Sequence, residues 1–233
     1  MRKFFYLLLL STLVGCHEQN YVAPVEELKW HSYLGRPAKH VVRPEETIYA
    51  IAFRYDLDFR ELLRYNNLTK SRLYVGQVLQ IPHYSSRRLS WQPESSYINK
   101  PLTHQKMPFK ATGHWFWPAH GKIVSNFNPN FGKKGINIAG KKGGVVYAAS
   151  SGIVAYAGNG LAGYGNLIII KHGDQFLTAY GNNSHNRVKE GQIVKAGQII
   201  ADMGIVDRKF WGVHFEIRKA GQPVNPTEFL PQL

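Results

Sequence analysis

The chain has 233 residues, 44% of them hydrophobic and 19% charged, so it can bury a core and is not a disordered tail. A single cysteine excludes an internal disulfide framework and a cysteine-rich zinc finger. Lysine and arginine number 29 against 15 acidic residues, a formal charge of +14, which predicts attraction to a polyanion: nucleic acid, an anionic membrane face or an acidic wall polymer.

Arg2 and Lys3 open the chain with positive charge, and residues 4–10 follow as the apolar run FFYLLLL. The run is too short for a transmembrane helix and has the order of a secretory signal. It closes on Leu13, Val14, Gly15 and Cys16, which resembles a bacterial lipobox. The resemblance implies that residues 1–15 are a lipoprotein signal peptide and that Cys16 is lipidated. Several acyl chains anchor firmly, since each buried CH₂ adds about 0.8 kcal/mol. His17 stands where aspartate would resemble an inner-membrane retention signal, so an outer-membrane lipoprotein facing the periplasm is expected. Loss of Arg2 and Lys3 still leaves 27 basic against 15 acidic residues. Outside the cytoplasm the polyanion at hand is the envelope, and no nucleic-acid partner is expected.

Residues 16–39 carry the lipidated cysteine and then read as a polar tether with Pro24 and Pro37. A flexible coil of that length averages roughly 25–30 Å end to end.

Residues 40–83 read as a compact βααβ unit. Val41 and Val42 suggest a short strand. Ile48, Ile51, Ala52 and Tyr55 fall on one face of a helix. Asp58 is placed to cap a second helix, with Glu61 at capping-box spacing, and Phe59, Leu62 and Leu63 on its apolar side. That helix is expected to end at Asn66 and Asn67. Residues 75–82, VGQVLQIP, read as a turn and a closing strand. With the segment Glu45, Glu46, Thr47, Ile48, these residues resemble a LysM domain, a module that binds N-acetylglucosamine-containing glycans. Many family members carry glycine where this chain has Glu45. The resemblance implies glycan contacts at Arg43, Glu45, Thr47, Lys70 and Leu73, and peptidoglycan as a partner.

Residues 84–113 read as a basic linker, with Pro93, Pro101 and Pro108 and no period. Residues 114–233 are rich in short strands punctuated by glycine. Residues 145–149 and 153–157 flank Ser151 and Gly152 as a hairpin signal, and residues 167–171 and 175–180 flank another. KEGQIV at 189–194 is echoed by KAGQII at 195–200, two successive turns rather than a solenoid. Residues 214–218 read as the last strand.

Trp117 and Pro118, GINIA at 135–139, GYGN at 163–166, Thr178, Ala179 and Tyr180, HFE at 214–216 and PVNP at 223–226 resemble the LytM, lysostaphin-type peptidoglycan endopeptidase domain. The fold class implied is a small α+β LysM-like domain followed by an all-β LytM-type peptidase fold that lacks its zinc site. Active members bind zinc through a histidine, an aspartate four residues later and the second histidine of a His-x-His. Laid on this chain, those positions fall at Lys133, Asn137 and His214. A further histidine of active members falls at Asn182, and the first of the His-x-His at Gly212. Catalytic zinc needs three protein ligands and one open position for water. A lysine cation and a neutral amide do not supply them. Without the metal, water keeps a pKa near 15.7 rather than about 7, so no catalytic residue and no metal cofactor are expected. His172 is expected as a turn residue and His185 as a solvated loop residue.

The whole order is similar to that of NlpD-type lipoproteins, activators of murein hydrolases. That resemblance implies a periplasmic N-acetylmuramoyl-L-alanine amidase as partner, taken up by the degenerate groove during cell separation. The groove residues are then Lys133, Asn137, Asn182, Trp211, Gly212 and His214, with Lys133, Lys134, Lys141 and Lys142 forming a basic rim. Two alternatives stay open on the sequence: a passive wall-binding tether, and an active zinc endopeptidase.

Overall fold

The computed structural model describes residues 38–82, 115–173 and 175–232. Cys16, the tether up to residue 37 and the linker 84–113 lie outside the described residues. Among the described residues no helix is long and apolar enough to cross a membrane.

The small module is βααβ, as its periodicity predicts. Strand β1 (Lys39–Val41) pairs antiparallel with β2 (Val78–Gln80), so this strand starts one residue before the expected domain start. Helix α1 (Ile48–Arg54) opens on Thr47, whose side chain accepts from the Ala50 N–H. Helix α2 (Phe59–Tyr65) opens on Asp58, which accepts from the Arg60 N–H, and closes on Asn66. Such caps satisfy amides that have no partner inside the helix. Ile48, Ile51, Ala52, Leu62, Leu63, Leu79 and Ile81 form the core of this module.

The large domain is a single antiparallel sheet of ten strands with order β3-β4-β11-β10-β8-β7-β6-β9 and two strands off that path. The path strands are β3 (Lys122–Ser125), β4 (Ile136–Ala139), β6 (Gly152–Gly158), β7 (Asn166–His172), β8 (Phe176–Asn186), β9 (Ile193–Val194), β10 (Ile199–Val206) and β11 (Phe210–Lys219). The other two are β5 (Val145–Tyr147), on β10, and β12 (Gln222–Val224), on β11. The expected hairpin of β7 and β8 forms, with Ile169 opposite Ala179. The hairpin expected between residues 145–149 and 153–157 does not. β5 pairs with β10, while β6 pairs with β7 and β9. Nor is 214–218 the last strand, since β11 turns back into β12.

The two KxGQ segments are the same turn built twice. Gly191 and Gly197 take positive φ, and the Gln192 and Gln198 side chains accept from the Lys189 and Lys195 amides. The small module uses the device too, at Gly76, with Gln77 accepting from the Tyr74 amide.

The sheet is buried on both faces where β7 crosses it. Ile168 and Ile170 face a core with Tyr180, Phe215 and Ile217. Leu167 and Ile169 face a second core, shared with Ala155, Tyr156, Tyr164 and Ala179 and with Ala50 and Phe53 of helix α1. The unbroken run LIII is the pattern of a strand covered on both sides. The small module is therefore the second cover of the sheet. Polar contacts seal the same interface: Thr47 Oγ1 donates to the Ala155 carbonyl at 3.1 Å, and Arg54 to the Gly160 carbonyl at 3.1 Å.

Candidate functional site

Strand register assembles the groove. On β11, His214 lies opposite Asn137 of β4 on one side and Gly181 of β8 on the other. Asn182 follows Gly181 directly, with a left-handed backbone (φ 61°) and its amide donating to the Tyr164 carbonyl at 2.6 Å. Gly212 lies opposite Ala139, where a Cβ atom would stand 2.2 Å from the Ile138 carbonyl oxygen. Any side chain there, histidine included, forces the two strands apart. Trp211 is half-buried beside it, with the Lys142 ammonium 5.8 Å from its ring centre. Lys133 is exposed at the mouth, its loop pinned by a bridge to Asn128. All six positions named from the sequence thus lie on or beside three neighbouring strands.

Hydrogen bonds decide what the groove can hold. The Asn137 Nδ2 donates to Asp207 Oδ2 at 3.0 Å, which turns its Oδ1 toward His214 Nδ1 at 2.6 Å. The His214 Nε2 faces Glu216 Oε1 at 3.0 Å. Each ring nitrogen faces an oxygen of a neighbouring side chain, so the ring is held at both ends within the protein. No group of three or more His, Cys, Asp or Glu able to hold a metal ion occurs among the described residues. These residues do not fit the zinc of the peptidase fold.

Beneath His214 lies a buried ionic cluster that sequence reasoning missed. The Glu216 carboxylate splits its oxygens. Oε1 accepts from His214 and from the Tyr164 hydroxyl at 2.8 Å, and Oε2 accepts from Arg218 Nε at 2.9 Å. The Arg218 guanidinium is 1% exposed. It donates to Asp56 Oδ1 at 2.7 Å and to the Phe53 carbonyl at 2.9 Å, and lies 3.6 Å from the Phe53 ring centre. Asp56 and Phe53 belong to the small module. Burial alone would raise the Glu216 pKa, but Arg218, and then His214, outweigh it and hold the carboxyl well below its ordinary range.

Lys134 corrects the basic rim expected from sequence. It is turned inward onto Asp56, at 2.8 Å and 2.9 Å, with only 11% of its side chain exposed. Its pKa is lowered, first by burial and then by the Arg218 charge, while Asp56 opposes both. Lys133, Lys141 and Lys142 remain exposed.

His172 also departs from expectation. It is no turn residue but is 1% exposed at the end of β7, with Nδ1 on the Ser151 carbonyl at 2.8 Å and Nε2 on Thr178 Oγ1 at 2.7 Å. Burial lowers its pKa to about 4, against the opposing pull of the Ser151 carbonyl. His185 is exposed, but on β8 opposite Asp202 rather than in a loop.

The glycan positions divide. Arg43, Glu45 and Lys70 are exposed and Leu73 is half-buried. Glu45 stands where many LysM domains have glycine, and it takes the left-handed backbone (φ 63°) that glycine adopts freely. Thr47 is already committed, to the α1 cap and to the Ala155 carbonyl across the interface.

The two folds match known families in the order observed. Residues 40–82 match the LysM domain, and residues 131–226 match peptidase family M23. The chain is thus a LysM module joined to an M23-type β domain. It is 35% identical to a lipoprotein NlpD/LppB homolog of Pseudomonas aeruginosa, over 83% of this chain and 77% of that one. It is 34% identical to the murein hydrolase activator NlpD of Escherichia coli, over 86% of this chain and 69% of that one. It is 39% identical to outer membrane antigenic lipoprotein B of Histophilus somni, over 79% of this chain and 64% of that one. The chain belongs to the NlpD/LppB family of lipoproteins.

Proposed function

We propose that this chain is a non-catalytic activator of a periplasmic N-acetylmuramoyl-L-alanine amidase, anchored in the outer membrane through Cys16 and held at peptidoglycan by its LysM module. The observation that carries the reading is His214, whose two nitrogens are bound to Asn137 and Glu216 at the position of a zinc ligand. The peptidase scaffold is kept while the position that would hold the metal is turned to hydrogen bonding. A groove freed of its metal can take a protein segment instead. The exposed Lys133, Lys141 and Lys142 suit an acidic segment, and Trp211, against Lys142 at the sheet edge, offers an aromatic contact at the rim. The names of the Escherichia coli and Histophilus somni relatives agree with the activity and the location.

Activation follows if the groove binds the open amidase better than the closed one, since a ligand shifts an equilibrium only by its differential affinity. Calorimetric titration of the mature chain with the amidase tests the docking step. Saturable binding is expected, and Trp211→Ala should weaken it by about 5-fold, the effect of a rim contact worth about 1 kcal/mol. Absence of binding by the unaltered chain contradicts the proposal.

A further inference from the structure

The geometry points to Asp56, in the small module, as a positioning residue for the groove of the large domain, acting through Arg218 and Glu216 on His214. Its consequence for partner binding rests on the activator reading above; the coupling itself does not.

Four charged side chains meet at the interface: Arg218 and Lys134 from the large domain, Glu216 from the same domain, and Asp56 from the α1–α2 corner. Two cations face two carboxylates. Asp56 is the only carboxylate among these four that comes from the small module, and both cations contact it. Glu216 in turn is the only link of the four to the groove, since its Oε1 accepts from His214. The result is one continuous path, from Asp56 through the Arg218 guanidinium and the two oxygens of Glu216 to the His214 ring and then Asn137.

The path has a physical consequence. With the Asp56 charge removed, Arg218 and Lys134 are left with Glu216 as the nearest carboxylate in this cluster. Little water reaches the cluster, so their attraction is weakly screened. They then draw on the Glu216 oxygens that His214 uses. The ring loses its hold at Nε2, and the Asn137 contact that depends on its orientation loosens. A docked LysM module therefore sets the shape of the groove from beside it, on the same face of the sheet. The geometry of the groove depends on the module being in place.

The test uses nitrogen NMR of the His214 ring in the mature chain, with no partner present. Asp56→Asn keeps the shape and removes the charge. It should move the His214 Nε2 signal from its wild-type position, and Asp56→Glu should restore it. Gln222→Ala, which removes a different contact to the same corner, from Gln222 Nε2 to the Asp56 carbonyl, should leave the signal in place. Amidase affinity should fall about tenfold in Asp56→Asn, within the range a remote coupling residue produces. A His214 signal unmoved by Asp56→Asn overturns the proposal, and so does an equal shift in Gln222→Ala. Should Asp56→Asn fail to fold, Arg218→Lys, which loosens the link between Asp56 and Glu216 without touching His214, is read in the same way. If the wild-type chain binds no amidase, the activator reading fails while the His214 spectrum still decides the coupling.

Discussion

Replacing Arg218 with methionine should destabilise the protein by about 3–5 kcal/mol, the usual cost of removing one partner from a buried ion network. Methionine fills much of the space of the arginine stem, so the loss is chiefly electrostatic. Glu216, 1% exposed, keeps its charge without the guanidinium that offsets its burial. Asp56 retains Lys134, and the Phe53 carbonyl loses its donor. Chemical denaturation read by both tryptophan fluorescence and circular dichroism checks the figure. Adding Glu216→Gln and Asp56→Asn to the methionine variant should recover part of the loss, because the unpaired charges go with the cation. A change under about 1 kcal/mol for Arg218→Met alone would mean that water already screens the cluster.

Acidification from pH 6.5 to about pH 4 should lower stability by about 3 kcal/mol through His172 alone. The sign follows from which state takes the proton. His172 has its pKa depressed in the folded chain from 6.5 to about 4. Below pH 6.5 the unfolded chain therefore binds a proton that the folded chain refuses, and the balance moves toward unfolding. The cost grows until the folded histidine is itself protonated near pH 4. Glu216 adds to this only lower down. Its folded pKa lies below the ordinary 4.5, so its contribution is complete above pH 4.5 and is lost as pH falls further. Denaturation midpoints between pH 6.5 and 4.5 follow the histidine, which is opposed there by Glu61 and Glu190, whose raised carboxyl pKa values favour the folded state as pH falls. In His172→Gln the fall in stability across that window should disappear. An unchanged slope in the variant would place the titrating group elsewhere.

Much of the fold was legible because local and global signals agreed. The cap Asp58, the helical spacing of Ile48, Ile51 and Ala52, and the hairpin of β7 and β8 all form as the sequence indicates. The groove positions came from the resemblance to the LytM domain, and strand register brings Asn137 and His214 face to face. The misread hairpin shows where such signals end. Ser151 and Gly152 mark a reversal, but a β alternation such as Val145, Val146, Tyr147 does not name its partner, and β10 competes successfully for it. The ionic cluster had a signal that passed unread. In the strand HFEIR, Phe215 and Ile217 face the core, so His214, Glu216 and Arg218 share the other face. Two charges on a strand face that is not solvated imply a cover with its own charge. What the sequence could not state is that the cover is the LysM module, since Asp56 lies 162 residues from Arg218. Sequence distance also hid Lys134, 78 residues from Asp56, which reads as one of a surface run and is drawn inward by that carboxylate.

The most direct measurement of the account is dye release from labelled sacculi, with the mature chain alone, an amidase alone, the two together, and a chelator control on each. Release by the mixture well above that of the amidase alone, with none from the chain alone, is the predicted result. Release by the chain alone, lost with chelator and regained with zinc, would contradict it, because it would require a working metal site where His214 is bound at both nitrogens. A mixture no more active than the amidase alone, with the chain still pelleting on sacculi, would also contradict activation and leave a wall-binding tether.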